Sequence, residues 1–171
     1  MEDTMRIQDI ISNASNIKIL EGPFNGGQKE VYKCEINSKI NALKVIKSTV
    51  AGDEGEIRCE REIKTLEVCN SNHLIKLGEI PYTEVFDGSN HIIYYSEEWI
   101  QGYELYSLLE KRKLLTEEFA KKLAIELSFA IEELWKHNKI HRDIKPLNIM
   151  FTGFQKCQKF RHSCMVKMIY K

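Results

Sequence analysis

The sequence predicts an α+β fold: a five-stranded antiparallel sheet carrying one helix, followed by a mainly helical part. Three observations predict it. Short β-branched and aromatic runs, separated by Gly, Asn and Asp turns, fill most of residues 17 to 95. One stretch of helical character, Glu56 to Asn70, interrupts them after the third run. A long amphipathic pattern then runs from Thr116 to about Lys136 and delivers the chain to a polar loop, His141 to Asn148.

Ile17, Ile19 and Leu20 begin the first strand. The turn-rich stretch Glu21 to Lys29 comes next, then Val31 to Ile36, so strand, glycine turn and strand form a hairpin. Asn37-Ser38 turns the chain into a third strand, Ile40 to Ile46. After the break at Gly52–Gly55 comes the helix, with Ile57, Ile63, Leu66 and Val68 as its apolar positions. His73 to Gly78 and Ile80 to Val85 read as the next strand. Asp87-Gly88-Ser89-Asn90 is a turn, and His91 to Tyr95 is a buried strand by its density of β-branched and aromatic residues. Glu104 to Lys113 predicts a short helix, with Leu105, Leu108 and Leu109 on one side. Leu115-Thr116-Glu117-Glu118 is a helix start, a threonine cap followed by acids over the positive end of the helix dipole. Phe119, Leu123, Leu127, Ala130, Ile131 and Leu134 hold one face of that helix.

The 171 residues suffice for one domain with a substantial core, or for two small lobes. With 43% hydrophobic and 29% charged residues, the chain is globular rather than disordered. A net charge of zero argues against a general nucleic-acid or anionic-membrane binder. The five cysteines, 34, 59, 69, 157 and 164, contain no C-x-x-C pair, which speaks against a disulfide framework or a zinc ribbon. Met1 to Asp9 holds no apolar core of a secretory signal, and no apolar run has the length of a membrane span. The expected location is the cytoplasm.

The loop His141-Arg142-Asp143-Ile144-Lys145-Pro146-Leu147-Asn148 carries an acid, a base and an amide at fixed spacing. It matches every fixed position of H-R-D-x-x-x-x-N, the catalytic loop of protein kinases, and is flanked by the apolar Ile140, Ile149 and Met150. The chain thus resembles a eukaryotic-type protein kinase, and Lys145-Pro146 resembles the serine/threonine branch. The resemblance implies that Asp143 accepts the proton of a substrate hydroxyl, Asn148 holds a magnesium ion and Lys145 neutralises the transferring phosphate. Arg142 would brace the loop or pair with a phosphorylated residue, and His141 would be structural.

Other segments extend the resemblance. Ala42-Leu43-Lys44 is similar to the A-I-K of the kinase V-A-I-K element, which makes Lys44 the contact to the α- and β-phosphates of ATP. Arg61-Glu62-Ile63 resembles the R-E-I segment that supplies the lysine's ion-pair partner. Glu62 is favoured, with Glu56 and Glu60 as alternatives. The hairpin resembles the Gly-rich loop that covers the nucleotide phosphates, where glycine lets the backbone approach closely. Gly26, beside Gly27, takes the middle position of G-x-G-x-x-G, but Phe24 and Lys29 replace the outer glycines, so the pattern also fits an ordinary hairpin. Lys29 could itself reach phosphate. Glu97 to Gly102 resembles the hinge that receives adenine, with backbone groups near Glu98 to Ile100 as partners. Glu97 is an acid at the position guarding the back pocket, where apolar residues are commoner.

The resemblance covers about residues 17 to 151. The sequence divides into an extension (1–16), a small lobe (17–99), a partial large lobe with the catalytic loop (100–151) and an atypical basic tail (152–171). A kinase continues with a strand and D-F-G, whose Asp binds the principal magnesium. Here the last acid is Asp143, and the tail has irregular apolar spacing with Lys156, Lys159, Arg161, Lys167 and Lys171. A frame change in a kinase gene, a natural non-catalytic relative and a small-molecule phosphotransferase are the three explanations, in that order. The resemblance therefore implies an ATP- and Mg2+-dependent protein Ser/Thr kinase domain, truncated and impaired. The alternative is a pseudokinase-like module that binds a nucleotide or a partner. The helix after Thr116 is expected to leave its apolar stripe partly uncovered and to favour self-association.

Overall fold

A computed structural model describes residues 11, 17–26, 29–48, 54–87, 90–111, 116–152 and 165–169. Gly27 and most of the basic tail lie outside the described residues. The chain divides into two compact units. One is formed by residues up to Arg61 with Lys76–Trp99, the other by Glu62–Ile75 with residues from Ile100 onward.

The first unit is a five-stranded antiparallel sheet of β1 (Lys18–Gly26), β2 (Lys29–Ile36), β3 (Lys39–Ser48), β4 (Thr83–Asp87) and β5 (Asn90–Glu98), in the order β1-β2-β3-β5-β4. The tight Asn37-Ser38 turn places both residues at positive φ, and it sets the β2–β3 register at Ile36 opposite Lys39. Gly22, at φ +125°, sits where β1 departs from regular pairing, and a side chain there would meet the Val31 carbonyl. One face of the sheet buries Tyr32, Cys34, Leu43, Val45, Ile92 and Tyr94 together with Ile11 and Ile17.

Helix α1 (Glu54–Val68) comes after β3. Its buried positions are Cys59, Glu62, Ile63, Thr65 and Leu66, whereas Ile57 and Val68 are exposed. The expected apolar face is thus rotated, with Cys59 taking the place of Ile57 at spacing 3–4 from Ile63.

The segment His73 to Ile80 is not continuous with β4, which begins at Thr83, after Pro81. Proline has no N–H to give a ladder. The two parts of this segment pair in different units. The Ile75 N–H donates to the Met168 carbonyl at 2.9 Å, and the Met168 N–H donates to the His73 carbonyl at 2.9 Å. In the first unit, the Gly78 N–H donates to the Ser96 carbonyl at 2.8 Å.

The second unit contains β6 (Gly102–Glu104), α2 (Leu105–Glu110), α3 (Glu117–Lys136), a short 3₁₀ turn at Pro146–Asn148, β7 (Ile149–Thr152) and β8 (Val166–Met168). Thr116 caps α3, its hydroxyl accepting the Phe119 N–H at 3.1 Å. The expected apolar stripe of α3 is covered in part, with Phe119, Ala130 and Leu134 buried and Leu123, Leu127 and Ile131 only partly buried. Phe119 packs with Leu105, Leu108, Ile149, Phe151 and Val166, and Ala130 and Leu134 pack with Leu74 and Met168. The apolar residues of α3 that stay exposed are others, Ile125, Phe129 and Trp135.

Strands β6, β7 and β8 form an antiparallel sheet with β7 in the middle. The tail read as structurally atypical therefore supplies a strand, with Val166 and Met168 almost fully buried. Three residues are too few to show a period of two in sequence. No helix among the described residues is long and apolar enough to cross a membrane.

Candidate active site

The loop between α3 and β7 is held at both ends. Ile149 and Phe151 are buried in the core of the second unit. His141 is buried, and its Nε2 lies 3.1 Å from the Ile169 carbonyl. The Ile169 N–H donates to the Asn148 carbonyl at 2.9 Å. Ile169 thus fastens β8 to the first and last residues of the loop. Arg142 takes φ 67°, a conformation that non-glycine residues seldom adopt, and Asp143 leads the chain out of the turn.

Three predicted residues come together here. The Asn148 side-chain amide donates to the Asp143 backbone carbonyl and to its Oδ2, both at 2.8 Å. Lys145 Nζ stands 2.7 Å from the same Oδ2. Lys145 holds the Asp143 carboxyl below the usual aspartate range; partial burial opposes it, and the Asn148 hydrogen bond adds to it. Asp143 and Lys145 are each about half exposed, at 47% and 45%, so both can meet a solvent-borne substrate.

The Asn148 side chain has one more feature. Both bonds to Asp143 use its nitrogen, and Oδ1 is buried with no hydrogen-bond partner. A buried carbonyl oxygen left without a donor is costly unless something else binds it. An oxygen of this kind suits a hard cation such as magnesium. The donor set of this loop fits that metal.

The first unit contains a polar cluster of its own. Lys44, on β3, is 4% exposed, and its Nζ lies 2.7 Å from Glu97 Oε1 on β5. Lys44 Nζ also lies 5.6 Å from the Tyr95 ring centroid. Lys29, on β2, is buried with its Nζ donating to the Tyr95 hydroxyl at 3.2 Å. The partnership with Glu97 is the feature that sequence reasoning missed. The signal was present, an acid at the end of a β-branched and aromatic run, but no local spacing ties it to Lys44, 53 residues away. Glu62 is buried on α1. Gly26 closes β1 opposite Lys29. The Glu98 N–H donates to the Lys76 carbonyl at 2.9 Å. Ile100 lies beyond β5 in the connection to β6.

Comparison with known proteins shows the family. Residues 25–168 match the model of the protein kinase domain. The chain belongs to the protein kinase domain family. The match to this kinase domain continues past residue 151 to Met168, the last residue of β8. The expectation that the resemblance ends at 151 is corrected by both findings.

Among similar proteins, the carbon catabolite-derepressing protein kinase of Candida glabrata is 32% identical over 142 residues, 82% of this chain and 22% of its own. CBL-interacting serine/threonine-protein kinase 16 of Arabidopsis thaliana is 28% identical over 156 residues, 90% of this chain and 32% of its own. Serine/threonine-protein kinase Warts of Drosophila melanogaster is 30% identical over 142 residues, 77% of this chain and 12% of its own. The kinase domain described here thus spans a third or less of the length of these relatives.

Proposed function

We propose that this kinase domain transfers phosphate from ATP to a Ser or Thr hydroxyl of a protein substrate, at a rate reduced by its tail. The observation that carries the reading is the Asp143–Asn148–Lys145 arrangement with its unpartnered Asn148 Oδ1. Asp143 is the base. Its depressed pKa keeps it ionised at neutral pH, ready to orient a hydroxyl and take its proton. Lys145 shares its charge between Asp143 and the transferring phosphate. Asn148 presents Oδ1 to magnesium, which when bound neutralises charge on the phosphate oxygens. Lys44, paired with Glu62, contacts the α- and β-phosphates, and the hairpin with Gly26, Gly27 and Lys29 covers them. The adenine edge is met by the Glu98 carbonyl, since the Glu98 N–H is engaged by Lys76, and by the backbone of Ile100.

The impairment is supported by the residues beyond β8. Ile169 is bonded to Asn148 and close to His141, and the sequence then reads Tyr170-Lys171 rather than Asp-Phe. Residues 152–171 contain no carboxylate side chain to hold a principal metal. That same observation favours the second reading, a non-catalytic module binding a nucleotide or a partner. We place the protein in the cytoplasm. Exposed Ile125, Phe129 and Trp135 on α3 are the surface through which it would self-associate, which light scattering on the purified chain tests. The experiment for the main reading measures transfer of labelled phosphate from ATP to a generic protein substrate, with Asp143→Asn as control. Slow transfer abolished by the substitution supports the kinase reading; nucleotide binding with no transfer supports the module.

A further inference from the structure

Lys44 and Tyr95 are directly opposed in the β3–β5 register, and Glu97 lies two residues beyond Tyr95. Alternate residues of a strand share a face, so Glu97 reaches Lys44 diagonally across one strand boundary. The resulting ion pair is 2.7 Å long, with 4% and 3% of the two side chains exposed. Charges this deeply buried are retained in a fold only when paired. Lys29 joins the same face through the Tyr95 hydroxyl. Two ammonium groups thus lie near one phenol ring, and one of them is paired with a carboxylate.

We propose that Glu97 is the positioning residue for Lys44, its carboxylate fixing the lysine ammonium from within the sheet so that it can meet nucleotide phosphate. The role is additional to the one read for Glu62, and it rests on the reading of Lys44 as a phosphate contact. The acid at this position is then explained by the lysine, not by the adenine pocket. An apolar residue at position 97 would leave the Lys44 ammonium without this partner.

The test is a titration of the purified chain with ADP and, separately, with adenosine. Glu97→Gln is expected to weaken ADP binding about tenfold and to leave adenosine binding unchanged, because the pair acts only through phosphate. In a Lys44→Met background the same substitution is expected to add nothing. Equal losses for ADP and adenosine, additive losses, or an unchanged ADP affinity overturn the proposal. A Lys44→Met chain with wild-type ADP affinity overturns the phosphate role of Lys44 itself. A wild-type chain that binds neither ligand overturns the nucleotide-site reading. If Glu97→Gln does not fold, thermal unfolding of Lys44→Met/Glu97→Met decides. Removing both charges is expected to recover a cooperative transition lost in the single variants, and a double variant no more stable than either single overturns the pairing.

Discussion

The side-chain amide of Asn148 donates two hydrogen bonds to Asp143, one to its backbone carbonyl and one to its carboxylate, both at 2.8 Å. The six residues from Asp143 to Asn148 are closed on themselves by this contact. The proposed proton acceptor is therefore held by the same residue whose Oδ1 is proposed to meet magnesium.

Replacing Asn148 separates those two tasks. Asn148→Asp keeps an oxygen ligand but removes both donors and places a second carboxylate beside Asp143. It is expected to cost about 1–3 kcal/mol of stability in urea unfolding. Asn148→Ala removes the ligand as well, and the strengthening of ATP binding by magnesium is expected to disappear in a calorimetric titration.

Lys145→Ala should move the Asp143 titration upward, toward the ordinary 3.8. The sign comes from the depressed pKa. Asp143 contributes stability above its unfolded value, and this is lost as pH falls through the lower folded value. Without Lys145 the folded and unfolded values draw together, so the contribution shrinks and its loss is complete at a higher pH. An NMR titration of the Asp143 carboxyl in both proteins reads the shift; identical curves would remove Lys145 as the cause.

Gly102→Ala tests the frame beneath the loop. A Cβ at Gly102 would collide with the Phe151 carbonyl, where β6 pairs with β7. Backbone cannot swing aside as a side chain can, so the substitution is expected to cost about 1–3 kcal/mol in urea unfolding. The Asp143 pKa should shift with it if β7 anchors the loop.

Much of this was legible in the sequence, for identifiable reasons. The five strands carried β-branched and aromatic runs, and α3 carried both a threonine cap and a sustained apolar face. The loop from His141 to Asn148 was legible because the chemistry demands fixed spacing. What escaped was non-local. Val166–Met168 is too short for periodicity and becomes a strand only through β7 and the segment His73–Ile75. The apolar pattern points Ile57 inward, yet Cys59 is the buried residue, because a lone cysteine adds little to an apolar pattern. Glu97 was seen as a departure, but its partner on β3 is 53 residues away in sequence.

Tyr170→Asp tests the proposed effect of the tail. The substitution introduces an acid directly after Ile169, whose backbone is bonded to the loop. Magnesium-dependent ATP affinity is expected to rise by about tenfold or more, as an added carboxylate ligand would require. No change would show that the tail is not what limits metal binding.

The most direct measurement is calorimetric binding of ATP, with magnesium and with EDTA, to the wild-type chain and to Lys44→Met and Asn148→Ala. The account predicts binding that magnesium strengthens in the wild type, that weakens about tenfold or more without Lys44, and that loses its magnesium dependence without Asn148. ATP binding equal in all three proteins, or none in the wild type, would contradict it.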